Sequence, residues 1–298
     1  QIIYISCDDL NNLVECNIRE IVDIYLNNQF NTTLRLMDKE LFLLIDESQY
    51  DKNWSMAGKI IRDRSEKIFM VFTGSSALNL EYNADAARRM FKRVITPLNY
   101  NEHLKLKYNY SNKDIGNSLV NLILNGEDQN AIKYEKEVNR NLINTVEYNL
   151  TDWKEYLKYG GFPILAHNIN FRRLSSNIVD MVEKVVNTDM VAIKNFTFEN
   201  QTNSNRILRY LALQNAGDLS QNNLAKYLKT SQANVKNILD ILEKTHLIFS
   251  IEAYGTSSKR MKKTKKYYFA TSSIRNALSI NSGNTIKDIK QYEGILLE

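Results

Sequence analysis

The sequence is poor in glycine, proline and cysteine, and it contains no long apolar run. Its 298 residues include ten glycines and two prolines, which favours a helix-rich protein with few long loops. No apolar stretch approaches the roughly 20 residues of a membrane-spanning helix, and the first residues do not resemble a signal peptide. No membrane segment is therefore predicted.

The two cysteines, Cys7 and Cys16, are too few for a disulfide framework. With only three scattered histidines beside them, a metal site built from thiols and imidazoles is not expected. Cys7 falls in a predicted strand, where a small buried residue is the expected role. Cysteine usage of this kind is typical of a reducing compartment, so a cytoplasmic location is expected.

Positive charge is concentrated in one segment. The chain has 39 basic and 34 acidic residues, a net charge of +5. Residues 257–266 contain six basic residues and no acidic one, so the rest of the chain carries −1. The basic character is therefore a local patch. The length fits two domains, and a hydrophobic content of 43% fits packed cores.

The most informative segment is Leu-Phe-Leu-Leu-Ile-Asp-Glu at residues 41–47. Its five apolar residues predict a fully buried strand within a sheet. The strand ends at Asp46 and Glu47, which delivers two carboxylates to the edge of the sheet. In P-loop nucleotidases this arrangement is the Walker B element, where the Asp holds Mg²⁺ and the adjacent carboxylate handles the attacking water. The alternative is a core strand that stops at a solvated acidic pair.

A second apolar run, at residues 68–76, ends in small polar residues. A hydroxyl there, from Thr73 or Ser75, could orient water or contact a γ-phosphate, and Gly74 would allow close backbone approach. Residues 48–64 have the right length for a right-handed crossover between the two strands. The two runs in this order predict a parallel sheet with a site at its carboxyl edge.

Residues 1–98 alternate strands and helices in the βαβ manner. Strands are predicted near residues 2–6, 41–46, 68–73 and 92–96, and helices near residues 17–28, 55–64 and 76–81.

Residues 99–195 are predicted to be helical, with apolar residues that recur at helical spacing. Those expected in the core are Leu119, Leu122, Ile123, Val179, Val182, Val185 and Val186. The paired glycines of Tyr159–Pro163 predict a corner between two helices.

Residues 204–270 have the pattern of a winged helix. Ser220 and Ser231 are predicted to cap two short helices, at residues 220–228 and 231–244. Strands near residues 247–253 and 266–269 then flank the basic run. The residues that could contact base edges are Gln232, Asn234 and Lys236, and those that could contact phosphates are Lys259, Arg260, Lys262, Lys263, Lys265 and Lys266. The alternative is a module that packs against the rest of the protein and leaves the lysines in solvent.

The sequence resembles bacterial and archaeal AAA+ ATPases of the type that carries a winged helix and a nuclease-like C-terminal domain. The most specific matching blocks are IDESQ, TGSSA and PLNYNEHL, and further ones are IIYISCDDL, ADAARRMFKRVITPLNYNEHL, YLKYGGFP and KKYYF. The resemblance covers nearly the whole chain. It implies a P-loop NTPase core of the AAA+ class, followed by a helical lid and a winged helix.

The resemblance also implies roles for individual residues. Asp46 would anchor Mg²⁺ through water, Glu47 would orient or deprotonate the attacking water, and Thr73 or Ser75 would sense the γ-phosphate. Arg88 or Arg89, and less so Arg93, match arginines that reach the γ-phosphate, often in a neighbouring subunit, which suggests a homo-oligomer.

The chain departs from that family because it has no G-x-x-x-x-G-K-[ST] phosphate loop. Gly58 and Lys59 do not form one, since Ile60 follows them and no glycine lies five residues before Gly58. The expectation is a fragment without its first strand and phosphate loop. Residues 292–298 resemble the opening of the nuclease-like domain, so the far end is expected to be cut as well.

Four segments are therefore predicted: an AAA+ core at 1–98, a helical lid at 99–203, a winged helix at 204–283 and the start of a nuclease-like domain at 284–298. The predicted function is ATP binding and hydrolysis with Mg²⁺, coupled to remodelling of nucleic acid or protein, with duplex DNA as a partner of the winged helix. The fragment alone is expected to be inactive. The alternative is a non-catalytic DNA-binding regulator with a degenerate ATPase-like domain.

Overall fold

The computed structural model describes residues 1–74, 90–112, 115–144, 148–164, 170–190, 196–217, 219–257, 260 and 263–284. Among these, residues up to Val94 form one compact unit, and residues from Ile95 onward form a second. No helix in the described ranges is long and apolar enough to cross a membrane.

The first unit is a parallel sheet with two crossover helices. The strands are β1 (Ile2–Ser6), β2 (Leu41–Asp46) and β3 (Ile68–Phe72), in the order β1-β2-β3, with both pairs parallel. Helix α1 (Ile18–Phe30) connects β1 to β2, and helix α2 (Trp54–Arg64) connects β2 to β3. The predicted parallel sheet is confirmed, and β2 is its central strand.

Strand β2 is buried on one face only, so the prediction of a fully buried strand is wrong. Leu41, Leu43 and Ile45 are inaccessible and pack with residues of α1 and α2. Phe42 and Leu44 on the other face are 41% and 38% exposed. The reason is that both crossover helices contribute to the core on the same face of the sheet.

The fourth predicted strand, at residues 92–96, is absent. Residues 90–99 have neither helical nor strand structure, and they pair with none of the three strands. A strand needs a hydrogen-bonded neighbour, which a local run of apolar residues cannot supply. The helix predicted at 76–81 lies outside the described residues.

The second unit is mainly helical. Its described helices are α3 (Tyr100–Tyr108), α4 (Ile115–Asn125), α5 (Asp128–Asn144), α6 (Asp152–Tyr159), α7 (Phe171–Lys184), α8 (Phe198–Leu213), α9 (Gln221–Leu228), α10 (Gln232–Lys244) and α11 (Ser272–Asn281). Strands β4 (Ile248–Ile251) and β5 (Lys266–Phe269) form an antiparallel hairpin.

The predicted core positions divide between two helices. In and just after α7, Val179, Val182 and Val186 are buried as predicted, and Val185 is half-buried. In α4 the prediction is wrong, because Leu119, Leu122 and Ile123 are 53%, 37% and 70% exposed. Helix α4 packs mainly against α5, so its apolar residues are only partly covered in the described structure.

The two predicted serine caps are present. Ser220 Oγ accepts a hydrogen bond from the Asn223 amide at the start of α9, and Ser231 Oγ accepts one from the Asn234 amide at the start of α10. Each serine thus accepts a hydrogen bond from an amide in the first turn of the helix, where amides have no carbonyl partner within the helix.

Helix α11 is buried along most of its length between α6, α7 and α8. Arg275 donates to the carbonyls of Leu211 and Gln214, at 2.5 and 3.0 Å, and Asn276 donates to that of Lys158 at 2.9 Å. These carbonyls lie at the C-terminal ends of α8 and α6, so α11 caps two neighbours. Residue 204, at which a winged-helix domain was predicted to begin, lies inside α8.

Candidate functional site

The candidate site lies at the carboxyl edge of the three-stranded sheet. Asp46 is the last residue of β2, and Thr73 directly follows β3, as the sequence predicted. The Thr73 amide donates to the Ile45 carbonyl at 2.8 Å. Ser48 donates to the Thr73 carbonyl through its amide at 2.9 Å and its hydroxyl at 2.6 Å. These bonds hold the two strand ends side by side.

Asp46 is the acceptor of two hydroxyl groups. Thr73 Oγ1 donates to Asp46 Oδ1, and Tyr4 Oη donates to Asp46 Oδ2 at 2.7 Å. The bond from Thr73, and then that from Tyr4, lowers the pKa of Asp46, because both stabilise the charged form. The hydrogen bond between Tyr4 and Asp46 also raises the pKa of the Tyr4 hydroxyl. Asp46 is therefore an ionised carboxylate at neutral pH, held in one orientation from both sides.

Glu47 has an uncommon backbone conformation. Its φ of 49° and ψ of 42° lie in the left-handed region, which few non-glycine residues adopt. Its carboxylate accepts a hydrogen bond from Gln49 Nε2, and the side chain is half-buried. Strain of this kind is often stored at functional sites. The bend changes the direction of the chain at the residue that directly follows Asp46.

The electrostatic environment at this edge is negative. Burial, and then the charges of Asp51, Asp8 and Asp46, raises the pKa of the Cys7 thiol to about 12. Cys7 begins a short helix, Cys7–Asp9, so its predicted place within a strand is wrong. It is 1% exposed and free, so its predicted role as a core residue holds. A negative potential at the sheet edge favours a cation there.

The residues at this edge fit a magnesium ion only in part. Within the described ranges, no cluster of three or more Asp, Glu, His or Cys side chains could hold a metal ion directly. Mg²⁺ keeps several waters and is commonly held by one or two carboxylates together with phosphate oxygens. Asp46, ionised and partly accessible, suits such water-mediated contact.

Three of the predicted catalytic residues, Ser75, Arg88 and Arg89, lie outside the described residues. Arg93 is exposed in the segment at 90–99, which has no regular secondary structure. Gly58 lies inside α2, where an added Cβ would come 2.5 Å from Met90 Cε and 3.0 Å from Phe72 Cζ. Its role is close packing, which agrees with its exclusion as a phosphate loop.

The predicted nucleic-acid residues lie in the second unit. Gln232 and Lys236 are exposed on α10, whereas Asn234 is half-buried and its Nδ2 donates to Thr230 Oγ1 at 3.0 Å. On the hairpin, Arg260, Lys263 and Lys266 are exposed, and Lys265 lies 3.5 Å from Glu252. Lys259 and Lys262 lie outside the described residues.

Sequence reasoning missed Tyr4, because nothing local in β1 indicates a bond to Asp46. It also missed a buried cluster around Asp152, which begins α6 and is inaccessible to solvent. His103 Nε2 lies 3.0 Å from Asp152, Tyr108 Oη donates to it at 2.9 Å, and Lys107 Nζ forms an ion pair with it. Burial acts to raise the pKa of Asp152, but the bonds from His103 and Lys107 outweigh it and lower the pKa to about 2.

Comparison with known proteins agrees with the geometry of the first unit. Residues 1–104 match the model of a family described as an AAA domain, which supports an AAA-like P-loop NTPase and suggests nucleotide binding. Residues 150–285 match a family described as a domain of unknown function, DUF8612. No solved structure matches the chain.

Two curated relatives come from Methanocaldococcus jannaschii. The uncharacterized protein MJ1637 is 29% identical over all 298 residues of this chain, which cover 59% of the relative. The uncharacterized protein MJ1544 is 24% identical over 277 residues, which are 89% of this chain and 53% of the relative. The chain thus spans somewhat more than half the length of either relative.

Proposed function

We propose that the first unit is the core of an AAA+ type ATPase, which binds and hydrolyses ATP with Mg²⁺. The observation that carries this proposal is the pair Asp46 and Glu47 at the carboxyl end of the central parallel strand, with Thr73 bonded to Asp46 from the neighbouring strand. Ligands of such sheets bind beyond the carboxyl ends of the strands. The AAA domain match supports the same reading.

In this proposal each residue has a distinct role. Asp46, whose carboxylate is oriented by Tyr4 and Thr73, would hold the cation through water. Glu47 orients the attacking water and accepts its proton, a role that suits a half-buried carboxylate beside the metal ligand. Mg²⁺, when bound, neutralises charge on the phosphate oxygens. Thr73 or Ser75 would sense the γ-phosphate. Thr73 donates its hydroxyl proton to Asp46, so it would have to release that bond before it could donate to a phosphate oxygen.

Further parts of the proposal rest on the resemblance. Arg88 or Arg89 neutralises the transferring phosphoryl group, in cis or from a neighbouring copy in a homo-oligomer. Hydrolysis is coupled to remodelling of nucleic acid or protein. Since the sequence contains no phosphate loop, the amides and lysine that cradle the phosphates are not among its residues. The chain by itself is proposed to bind ATP weakly.

The test compares this chain with a longer form in which a strand and phosphate loop precede Gln1. ATP affinity and turnover should be low for the chain and should rise in the longer form. In that form, Glu47→Gln should leave the ATP affinity within about threefold and lower turnover by about 100-fold or more, because the amide keeps the shape but accepts no proton.

The matched control is Glu66→Gln, at an exposed glutamate just before β3. It makes the same chemical change away from the sheet edge and should leave both quantities unchanged. A Glu47→Gln protein with normal turnover would contradict the role assigned to Glu47.

A second candidate function is a DNA-binding regulator whose ATPase-like unit is not catalytic. The exposed basic residues Arg260, Lys263 and Lys266 of the hairpin favour it. A longer form that binds no ATP at millimolar concentrations would support this candidate over the ATPase.

A further inference from the structure

Helix α10 presents a polar face to solvent. Val235, Ile238, Leu239 and Leu242 are buried on its inner side. Gln232, Ala233, Lys236 and Asn237 are exposed, and their spacing places them together on the outer side of the first two turns. The three-residue connection from α9, at 229–231, is tight, with Lys229 in the left-handed conformation at φ 54°. The N-terminal half of α10 is therefore open to a partner.

The hairpin that follows α10 carries exposed cations. Arg260 and Lys263 lie in the connection between β4 and β5, and Lys266 begins β5. The side chain of Lys265 is 40% exposed and lies 3.5 Å from Glu252, and an ion pair in solvent contributes little to stability. These groups belong to the same compact unit as α10.

The charge of this segment differs from that of the rest of the chain. Residues 219–270 contain ten basic and three acidic residues, a net charge of +7, so the remainder carries −2. Two of the three acids are engaged locally. Glu243 accepts from the Ser250 amide at 3.0 Å and from its hydroxyl at 2.6 Å, and Glu252 faces Lys265. The exposed cations therefore make the electrostatic potential of this segment positive.

We propose that the outer face of α10 and the basic hairpin form a binding surface for B-form duplex DNA. A helix with its side chains is about 10–12 Å across, which matches the B-form major groove of about 12 Å. Gln232, Lys236 and Asn237 would face the base edges, while Arg260, Lys263 and Lys266 would neutralise phosphates. The A-form major groove of duplex RNA is too narrow for a helix, so DNA is the favoured partner. This binding goes beyond the proposed ATPase and requires no nucleotide.

The experiment titrates the 298-residue chain against a fluorescent 24-base-pair DNA duplex at about 50 and 200 mM salt, without nucleotide. Affinity should fall as salt rises, with each phosphate contact contributing roughly 0.9 to the slope of log affinity against log salt. The double variant Lys263→Ala/Lys266→Ala should bind about tenfold or more weakly at the lower salt. It should also reduce the slope by about 1.8, for two contacts.

The matched control is Lys133→Ala/Lys136→Ala on α5, which removes the same charge from exposed positions of the same unit. Its affinity and slope should stay close to those of the unmodified chain. If this pair weakens binding as much as the hairpin pair, the attraction comes from net charge alone and the proposal is overturned.

Gln232→Glu tests the helix separately. The residue lies in the first turn of α10, where a glutamate stabilises the helix, so unfolding would not explain a loss of binding. Binding should weaken by about tenfold, because the new charge would face the phosphates and base edges. Unchanged affinity would overturn the placement of α10 in the groove.

Three further outcomes would overturn the proposal. These are no binding to the duplex at the lower salt, equal affinity for a duplex RNA of the same length, and binding to vesicles that contain phosphatidylserine without binding to DNA. Because ATP is absent throughout, none of these results bears on the proposed ATPase.

Discussion

Two aspartates in this protein are ionised for different physical reasons. Asp46 is partly accessible and accepts bonds from two neutral hydroxyls, so its charge stays available to a cation. Asp152 is fully buried, forms an ion pair with Lys107 and lies within hydrogen-bond distance of His103, so its charge is used within the fold. The first arrangement suits chemistry at a sheet edge, and the second joins α3 to α6.

We predict that Asp152→Asn lowers the free energy of unfolding by about 3 kcal/mol at neutral pH, because it leaves Lys107 without its counter-charge in a mostly buried site. The folded-state pKa of Asp152, about 2, lies below the ordinary value of about 3.9. Its stabilisation is therefore present above about pH 4 and is lost as the pH falls toward 2. Denaturant unfolding across this range should show a shallower acid dependence in the variant.

The control for this variant is Asp180→Asn, at an exposed aspartate of α7. It should change the unfolding free energy by no more than about 0.5 kcal/mol. A loss of less than about 1 kcal/mol in Asp152→Asn would show that the buried cluster contributes little net stability.

At the scale of the elements, the end of α6 depends on paired glycines. Helix α6 ends at Tyr159, and Gly161 has a φ of 87°, a conformation that favours glycine. The Gly161 carbonyl accepts from the Leu98 amide at 2.8 Å. A Cβ at Gly161 would also lie 2.9 Å from Thr271 Cβ, just before α11. The turn thus allows close contact between distant parts of the second unit.

We predict that Gly161→Ala destabilises the protein more than Gly126→Ala does. Both glycines have a positive φ, but an added Cβ at Gly126 would meet no atom within 4 Å. The backbone strain is therefore similar, and the difference isolates the contact with Thr271. We expect that difference to be about 1–3 kcal/mol in thermal or denaturant unfolding. Equal effects would mean that the turn relaxes without cost.

At the scale of the whole molecule, the helical region and the hairpin region form one compact unit. Helix α11 follows the hairpin in the chain, yet it packs against α6, α7 and α8, which precede the hairpin. Its side chains Arg275 and Asn276 also cap two of those helices. A division of the second unit at residue 203 would separate these partners.

We predict that a fragment of residues 95–284 folds cooperatively, whereas a fragment of residues 95–203 does not. The shorter fragment ends inside α8 and lacks α11, so it loses the buried surface that holds its helices together. Circular dichroism recorded during thermal unfolding shows whether each fragment unfolds in one sharp transition. A sharp transition in the shorter fragment would show that the lid region is an independent domain.

The sequence by itself determined the features that depend on neighbours in the chain. The run from Leu41 to Asp46 predicted a strand with carboxylates at its end, because an apolar run and its termination are read within a few residues. Ser220 and Ser231 predicted two helix starts, because a cap acts on an amide three residues away. The ends of the two hairpin strands were predicted to within two residues, because the apolar residues of each strand are neighbours in the sequence.

Only the tertiary structure decided features that depend on distant residues. The hydroxyl that holds Asp46 comes from Tyr4, 42 positions earlier, and Asp152 meets His103 across 49 positions. The periodicity of Leu119 predicted burial, but the packing around α4 leaves that residue exposed. Residues 92–96 have the composition of a strand, but no described strand pairs with them. Periodicity states which side of an element is apolar, whereas packing decides whether another element covers it.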